Sequence, residues 1–454
     1  MATSQIWQGI QAAAQRAPGT TAVEAPGVRI SYAELVDRVR DHSYALDRND
    51  RVTVVRADRE GRAIVEVLAA QLIGLPALLL PRGAGPDYER SVRDDVERML
   101  DGRGVGVAAD EALDRGGIWT TSSGSTGHPK IVAHDPDGID RFVAWVNEEF
   151  DFTAADISLS LSPMNFDVSL LDVWAVLAAG GRVVFVPDSQ LTDGAALARA
   201  IADSHATIVQ AVPVVFDLLL PALQPSPSVR VAISTGDMLR PTSRRFMNEA
   251  FPLARTSSIY GSTETNDSFL LDLRDASAGS LGRPIAGVSY RLEEHPDGGY
   301  ELIVSTPFQA FGYVNAPNDV WSAGPLGREF RTGDLVTLRD GHLDLEGRHD
   351  RQVKIRGVRV SLADIEEVLR RQPGVIDAIA MVAPDDRGDL SISVLLRYEG
   401  TPPATLEVRR AAADALPGAA VPSRIHLVDH PFPLTATGKT DRREAFSRFE
   451  RQPA

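Results

Sequence analysis

The sequence predicts an α/β protein: a large N-terminal domain of α/β subdomains with a small β-barrel-like unit, then a small, mobile α+β C-terminal domain. The first observation is an alternation of short apolar runs with amphipathic stretches. This alternation is typical of strand–helix–strand units in largely parallel sheets. The second observation is a change at about Gly282, after which glycine and proline become frequent and the strands short.

The alternation of apolar and amphipathic runs is seen in three groups of predicted elements. Each combines apolar runs with an amphipathic stretch of helical periodicity. The groups are Val52–Val55, Ile64–Leu72 and Ala77–Leu80; Ile157–Leu161, Leu170–Leu177 and Arg182–Val186; and Ala198–Ile201, Ala206–Val212 and Val231–Ser234. Two later runs, Val288–Leu292 and Glu301–Ser305, predict strands of the barrel-like unit.

A polar join at 346–350 precedes the last part of the chain. We therefore predict one domain over residues 1–347 and a second over 348–454. The predicted elements of the second domain are strands at Gln352–Ile355, Ile376–Val382 and Ser391–Tyr398 and helices at Leu362–Arg371 and Thr405–Ala415.

Composition excludes several classes of function. The 454 residues carry a formal charge of −15, whereas a nonspecific nucleic-acid binder needs excess positive charge. Without cysteine there is no disulfide, thiolate metal site or cysteine nucleophile. No secretory signal is visible, and the longest apolar stretch, Val67–Pro81, is too short to span a bilayer. We expect a cytoplasmic protein that binds neither nucleic acid nor membrane.

Lysine occurs only at Lys130, Lys354 and Lys439, in a chain otherwise rich in arginine. Lysine supplies a compact, mobile point charge where arginine supplies a rigid fork, so each lysine calls for a local reason. Lys130 ends the segment TTSSGSTGHPK, which begins at Thr120. Its glycines allow backbone N–H groups and hydroxyls to converge on an anion. The segment is either a phosphate-binding loop or a surface turn rich in serine and glycine.

Six further motifs follow a fixed order along the chain. They are ISYAEL from Ile30, NFDVS from Asn165, YGSTE from Tyr260, FRTGD from Phe330, GRHDRQVKIRG from Gly347 and LTATGKTD from Leu434. Together with the Ser/Thr/Gly loop they resemble the motifs of the adenylate-forming superfamily. That superfamily comprises acyl-CoA synthetases, adenylation domains of nonribosomal peptide synthetases and firefly-type luciferases. The chain most resembles a free-standing amino-acid adenylation domain.

The resemblance implies a site for ATP and Mg²⁺. Glu264 is implied as the Mg²⁺ ligand and Thr263 as a donor to the α-phosphate, while Tyr260 lies against the adenine. Asp334 has two carboxylate oxygens for two ribose hydroxyls, unless it is only a turn residue. The full implied ATP site is Thr121, Ser122, Ser123, Gly124, Ser125, Thr126, Gly127, Lys130, Gly236, Tyr260, Asp334 and Arg348.

The C-terminal motifs imply the remaining machinery. Lys439 matches the lysine that bridges the substrate carboxylate and the α-phosphate; a solvated loop lysine is the alternative. Asp350 resembles the hinge about which the C-terminal domain rotates between half-reactions. Gly357 resembles the glycine beside the pantetheine channel. Lys354 has no role that we derive.

Asp167 indicates the substrate class. In amino-acid-activating members of the family, this aspartate pairs with the α-ammonium, whose burial requires a carboxylate. Alternatively, Asp167 caps the following helix. Asp267 indicates a hydroxyl or second amine on the substrate, unless it points outward or pairs with arginine. Family spacing gives the pocket as Asp167, Val168, Leu171, Gln210, Ile233, Thr235, Ile259, Asp267 and Ser268.

The predicted function is ATP-dependent adenylation of a small or polar amino acid. Transfer to the phosphopantetheine thiol of a separate carrier protein then follows, in specialised-metabolite biosynthesis. An acyl- or aryl-acid CoA ligase, or a catalytically silent nucleotide-binding member, is the alternative.

Overall fold

A computed structural model describes residues 4–47, 49–122, 129–219, 222–237, 239, 241–274, 281–295, 299–339, 341–348, 352–355, 358–384, 390–398, 400, 402, 404–433 and 442–451. The chain divides into two compact units. The first contains residues 1–122 and 130–346, and the second includes the chain from Gly347 onward.

The α-helices are α1 (Gln5–Arg16), α2 (Tyr32–Ala45), α3 (Arg62–Leu72), α4 (Pro86–Leu100), α5 (Ala109–Arg115), α6 (Pro136–Phe150), α7 (Val176–Ala179), α8 (Gly194–Ser204), α9 (Pro213–Leu219), α10 (Pro241–Ala250), α11 (Leu362–Arg370), α12 (Thr405–Ala415) and α13 (Arg442–Arg451). A π-helix covers Leu170–Ala175, and short 3₁₀ turns cover Asp188–Gln190 and Gly418–Ala420.

The strands of the first unit are β1 (Thr21–Ala25), β2 (Val28–Ser31), β3 (Thr53–Arg56), β4 (Ala77–Leu80), β5 (Ile118–Ser122), β6 (Lys130–Ala133), β7 (Ile157–Ser160), β8 (Arg182–Phe185), β9 (Ile208–Ala211), β10 (Val231–Thr235), β11 (Arg255–Ser262), β12 (Asn266–Asp272), β13 (Arg283–Pro284), β14 (Ser289–Glu294), β15 (Tyr300–Ser305), β16 (Gly312–Tyr313), β17 (Trp321–Gly324), β18 (Gly327–Arg339) and β19 (His342–Arg348). Those of the second unit are β20 (Gln352–Ile355), β21 (Val358–Ser361), β22 (Val375–Pro384), β23 (Leu390–Tyr398) and β24 (Arg424–Val428).

The largest sheet has nine strands within the described ranges, in the order β13-β12-β11-β10-β9-β7-β8-β1-β2. Its centre is parallel from β11 through to β1, and antiparallel pairs close both sides. These central strands are short apolar runs buried on both faces, as expected for a parallel sheet covered by helices. The predicted α/β class is confirmed.

A second sheet, in the order β16-β6-β5-β4-β3, is parallel from β3 to β5 and antiparallel beyond. The predicted strand Ala77–Leu80 has the same limits in the structure. Its four apolar residues are all buried, and Pro81 follows them. The predicted barrel-like unit is a five-stranded sheet of β14, β15, β17, β18 and β19, in which the pairs β14–β15, β15–β18 and β17–β18 are antiparallel. In the ranges that the structure describes, its pairings form an open sheet.

The second unit contains the hairpin β20–β21 and a three-stranded sheet of β22, β23 and β24. Helices α11 and α12 contribute Ile365, Leu369, Val408 and Ala412 to its apolar core. A second apolar cluster joins Ile379 and Leu395 to Phe446 of α13.

The structure refines the helix predicted at Leu170–Leu177. Its first part, Leu170–Ala175, is a π-helix, and only Val176–Ala179 is α-helical. Hydrophobic periodicity does not distinguish these windings over a segment whose side chains are all buried. A π-turn often lies at a functional site. Among the described helices, none combines the length and apolar character needed to cross a membrane.

Candidate nucleotide and substrate site

Four predicted pocket residues come from adjacent parallel strands. Gln210 of β9 pairs in register with Ile233 of β10, and Thr235 of β10 pairs with Ile259 of β11. Paired residues of neighbouring strands share a sheet face, so these four side chains lie on one face. Leu171 of the π-helix belongs to the same apolar cluster as Ile233 and Ile259. The structure thus brings these predicted residues together, with Gln210 and Thr235 near the carboxyl ends of their strands, where open α/β sheets bind ligands.

This face is not wholly apolar. Gln210 is 1% exposed, and its Oε1 has no hydrogen-bond partner among the described residues. A buried amide oxygen without a donor costs free energy. A ligand that donates a hydrogen bond would remove that cost.

Asp167 and Val168 precede the π-helix and are half-buried. The N-cap is Ser169, which makes no side-chain capping bond. Its hydroxyl instead donates to the carbonyl oxygens of Met164, at 3.1 Å, and Phe166, at 2.8 Å. Asp167 therefore lies two residues before the N-cap, on a turn that Ser169 holds.

The β11–β12 hairpin carries the YGSTE motif. Asp267 lies opposite Gly261, next to an irregularity in the pairing, and is half-buried. The fully buried Ser268 hydroxyl donates within the hairpin, to Thr265 Oγ1 at 3.4 Å. Thr263 is half-buried at the turn between the two strands.

Glu264 is 2% exposed and accepts a hydrogen bond of 2.7 Å from the Tyr313 hydroxyl at Oε1. Lys130 Nζ lies 4.4 Å from the centroid of the same Tyr313 ring. An ammonium over an aromatic face is held by a cation–π interaction. Tyr313, on β16, therefore contacts both a predicted metal ligand and a predicted phosphate-site cation.

His134 is buried, with Nε2 2.8 Å from Thr120 Oγ1. Burial lowers the pKa of His134 to about 4, although the charge of Glu264 acts to raise it. The imidazole is therefore neutral at pH 7.

Tyr260 and Asp334 are in direct contact, because the Tyr260 hydroxyl donates to Asp334 Oδ2. The Asp334 backbone N–H donates to Thr332 Oγ1 at 3.0 Å, and the Thr332 hydroxyl donates to the Leu302 carbonyl at 2.7 Å. Gly333 between them has φ +72°, a conformation that favours glycine. The FRTGD motif is thus an irregular part of strand β18, where the pairing with β15 shifts register, and it fixes the Asp334 carboxylate beside Tyr260.

The donor set around Glu264 is suited to Mg²⁺ that arrives on a nucleotide. The described residues contain no group of three or more His, Asp or Glu side chains arranged to hold a metal. Mg²⁺ commonly binds proteins through one or two carboxylates while phosphates and waters complete its octahedron. One buried carboxylate, held by Tyr313, fits that requirement.

Other predicted residues are partly described. Thr121 is buried on β5, Gly236 follows β10 with φ +86°, and Arg348 ends β19 half-buried. Only the backbones of Ser122 and Lys354 are described. The following predicted residues lie outside the described residues: Ser123, Gly124, Ser125, Thr126, Gly127, Asp350, Gly357 and Lys439.

Comparison with known proteins agrees with this fold. A family model described as "AMP-binding enzyme" matches residues 114–314. Residues 114–314 thus match an AMP-binding domain of the adenylate-forming superfamily, and this match and the relatives below support an AMP-forming ligase.

Phenyloxazoline synthase MbtB from a Mycobacterium species is 35% identical over 358 residues, which are 75% of this chain and 31% of that protein. Tyrocidine synthase 2 of Brevibacillus parabrevis is 30% identical over 100% of this chain and 14% of its own length. The L-proline–[L-prolyl-carrier protein] ligase of Streptomyces coelicolor is 31% identical over 71% of this chain and 64% of its own. The chain thus spans about a third or less of the first two relatives.

Solved structures share the fold. The adenylation domain AlmE of Vibrio cholerae, in complex with glycyl-adenosine-5′-phosphate, superposes with a TM-score of 0.83 at 20% identity, covering 100% of this chain and 99% of that one. The o-succinylbenzoate CoA synthetase MenE of Bacillus subtilis gives a TM-score of 0.80 at 19% identity, covering 96% and 97%.

Sequence reasoning missed Tyr313 and His134, and it included Thr120 in the Ser/Thr/Gly segment but not among the candidate site residues. Tyr313 lies 49 residues from Glu264, on a two-residue strand with no catalytic pattern of its own. The one available signal was the position of Thr120 and His134 on either side of the Ser/Thr/Gly loop.

Proposed function

We propose that this protein activates a small amino acid with a polar side chain. In the first step, the substrate carboxylate attacks the α-phosphorus of ATP, and pyrophosphate leaves to give an aminoacyl adenylate. In the second, the phosphopantetheine thiol of a carrier protein loses its proton and attacks the acyl carbon, releasing AMP. Mg²⁺ on the nucleotide would neutralise phosphate charge.

The observation that carries the amino-acid proposal is the position of Asp167. It is half-buried on a turn directly before the π-helix, whose Leu171 packs with the sheet face that bears Gln210. A carboxylate there offers the partner that an α-ammonium needs when it leaves water. The relative described as an L-proline–[L-prolyl-carrier protein] ligase supports both the substrate class and the acceptor.

Gln210 supports a polar substrate side chain. Its buried, unpartnered Oε1 favours a ligand with an N–H or O–H donor over a purely aliphatic one. Thr235 on the adjacent strand β10 and Asp267 on β12 of the same sheet add polar groups. We therefore expect a hydroxyl- or amine-bearing amino acid to be preferred over its aliphatic analogue.

In the nucleotide site, Glu264 would bind Mg²⁺, Asp334 would accept hydrogen bonds from the ribose hydroxyls and Lys130 would bind a phosphate. Tyr313 holds the Glu264 carboxylate, and Tyr260 hydrogen-bonds to Asp334. The roles of Thr263, Lys439, Asp350 and Gly357 rest on their motifs alone.

The test is amino-acid-dependent exchange of labelled pyrophosphate into ATP, over amino acids and their des-amino analogues. We expect exchange with amino acids, and Asp167→Ala should raise the amino-acid KM by about 100-fold or more, as for one partner removed from a buried ion pair. Asp137→Ala, at an exposed aspartate on α6, is the matched control and should leave KM unchanged.

Three results would contradict the proposal. Exchange with des-amino acids alone would favour a CoA ligase. No exchange with any acid, alongside retained ATP binding, would favour a catalytically silent member. An unchanged KM in Asp167→Ala would remove this residue from ammonium binding.

A further inference from the structure

Arg59, in the loop between β3 and α3, holds the end of strand β7. Its side chain is 7% exposed. Nη1 donates to the Ser160 carbonyl at 2.9 Å, and Nη2 donates to the Leu161 carbonyl at 2.8 Å. Nε lies 2.9 Å from Asp188 Oδ1. One guanidinium thus fixes the last residue of β7 and the residue that follows it.

Asp172, on the π-helix, is a fully buried carboxylate that interacts electrostatically with the same guanidinium without forming an ion pair. Neither of its oxygens has a hydrogen-bond partner among the described residues. Burial raises the pKa of Asp172 to about 7, while the charge of Arg59 and weaker interactions with Ser160 and nearby backbone act to lower it. Burial lowers the pKa of Arg59, and the charges of Asp188 and Asp172 act to raise it.

Buried ionisable side chains are rarely retained for stability, since well-packed apolar residues often do as well. Arg59 binds the first residue of one segment, and Asp172 is the last residue of the same segment. Residues 161–172 begin at the carbonyl that Arg59 binds and end at Asp172. Between those ends lie three predicted pocket residues: Asp167, Val168 and Leu171.

We propose that Arg59 and Asp172 are positioning residues that hold the two ends of segment 161–172, and so keep the Asp167 carboxylate in place for the substrate. This inference rests on the proposed function, since it assigns Asp167 to the substrate ammonium. A binding group held by rigid neighbours loses less entropy when the ligand binds. Loosening either end should therefore weaken binding of the acid substrate more than binding of ATP.

The test measures pyrophosphate exchange with KM values for the amino acid and for ATP. Arg59→Lys keeps the charge but lacks the planar fork that reaches two carbonyls and Asp188. We expect its amino-acid KM to rise about 10- to 100-fold, as for a binding group displaced from its site, with the ATP KM within about twofold. Asp172→Asn, which keeps shape and removes charge, should move KM in the same direction.

The matched control is Arg82→Lys. Arg82 pairs with the same Asp188, at 2.7 Å, but its side chain is 54% exposed. Both KM values should be unchanged in this variant. If Arg59→Lys does not fold, the nearly isosteric variant Asp172→Asn still tests the proposal.

A double mutant separates positioning from general stability. If Arg59 acts through Asp167, Arg59→Lys should add little to the amino-acid KM when Asp167 is already alanine. Fully additive effects, equal effects on the ATP KM, or a lowered melting temperature with an unchanged amino-acid KM would overturn the proposal.

The results that would contradict the proposed function differ from those that would contradict only the positioning role. If the wild type accepts only des-amino acids and Asp167→Ala has no effect on KM, Asp167 does not bind a substrate ammonium and the proposed function is wrong. If Asp167→Ala raises KM but Arg59→Lys and Asp172→Asn do not, only the positioning role falls.

Discussion

The hydroxyl of Tyr313 donates a hydrogen bond of 2.7 Å to Oε1 of Glu264, and the ring of the same tyrosine lies 4.4 Å from Lys130 Nζ. One side chain on a two-residue strand thus orients a carboxylate and an ammonium that we assign to Mg²⁺ and phosphate. Neither charged group is next to the other in sequence. Because it contacts both groups, Tyr313 is a positioning residue of the proposed nucleotide site.

Tyr313→Phe tests that role, because it keeps the ring under Lys130 and removes only the hydroxyl. A hydrogen bond to a charged group is worth about 1.5–3 kcal/mol, so we expect exchange activity to fall about 10- to 100-fold. The Mg²⁺ concentration for half-maximal exchange should rise as well. Tyr290→Phe, at an exposed tyrosine, is the control. An unchanged Mg²⁺ dependence would mean that Glu264 does not need this bond.

Asp334→Asn should raise the ATP KM about tenfold or more and leave the amino-acid KM unchanged. The amide has one acceptor oxygen and cannot accept charge-assisted bonds from the ribose and Tyr260. Repeating the measurement with 2′-deoxy-ATP locates the contact, since the penalty of the variant should shrink when one ribose hydroxyl is missing. An equal penalty with both nucleotides would argue against ribose binding.

Lys439→Ala should lower the turnover of adenylate formation by at least about 10²–10³-fold, with a smaller effect on substrate binding. A mobile ammonium acts where two anionic groups approach, so its loss appears in the transition state. Exchange kinetics and ATP binding by the same preparation provide the two readouts. Near-normal exchange would remove Lys439 from the mechanism.

The lowered pKa of His134 predicts that the free energy of unfolding decreases in acid. Its native pKa of about 4 lies below the ordinary value of 6.5, so the unfolded chain binds the proton first as the pH falls. This contribution to stability is fully present above pH 6.5 and is lost on going down to about pH 4, by up to about 3 kcal/mol.

Denaturant unfolding of the wild type and His134→Gln across that range checks this. The difference in unfolding free energy between them should shift in favour of the variant as the pH falls. His342→Gln, at an exposed histidine, should give a curve parallel to that of the wild type. A wild-type curve parallel to that of His134→Gln would show that His134 does not cause the acid loss.

The fold class and the family were predictable from the sequence alone. Strands such as Ala77–Leu80 are runs of apolar residues that end at a proline. Such a local pattern indicates a buried strand and where it ends. The ordered motifs indicated the superfamily, which the relatives confirm. The same spacing predicted Gln210, Ile233, Thr235 and Ile259 as pocket residues, and the sheet register brings them to one face. Their contact with a substrate stays a prediction.

Contacts between distant segments were decided by the tertiary structure. Arg59 reaches a strand end 101 residues away, and Tyr313 reaches Glu264 across 49 residues. Periodicity shows that a residue is buried but not which partner it meets, because the partner depends on how separate elements pack. The π-helical winding before α7 and the buried Asp172 on it likewise follow from packing. Sequence patterns thus predicted the elements and motif residues, whereas packing selected the side chains that hold those residues in place.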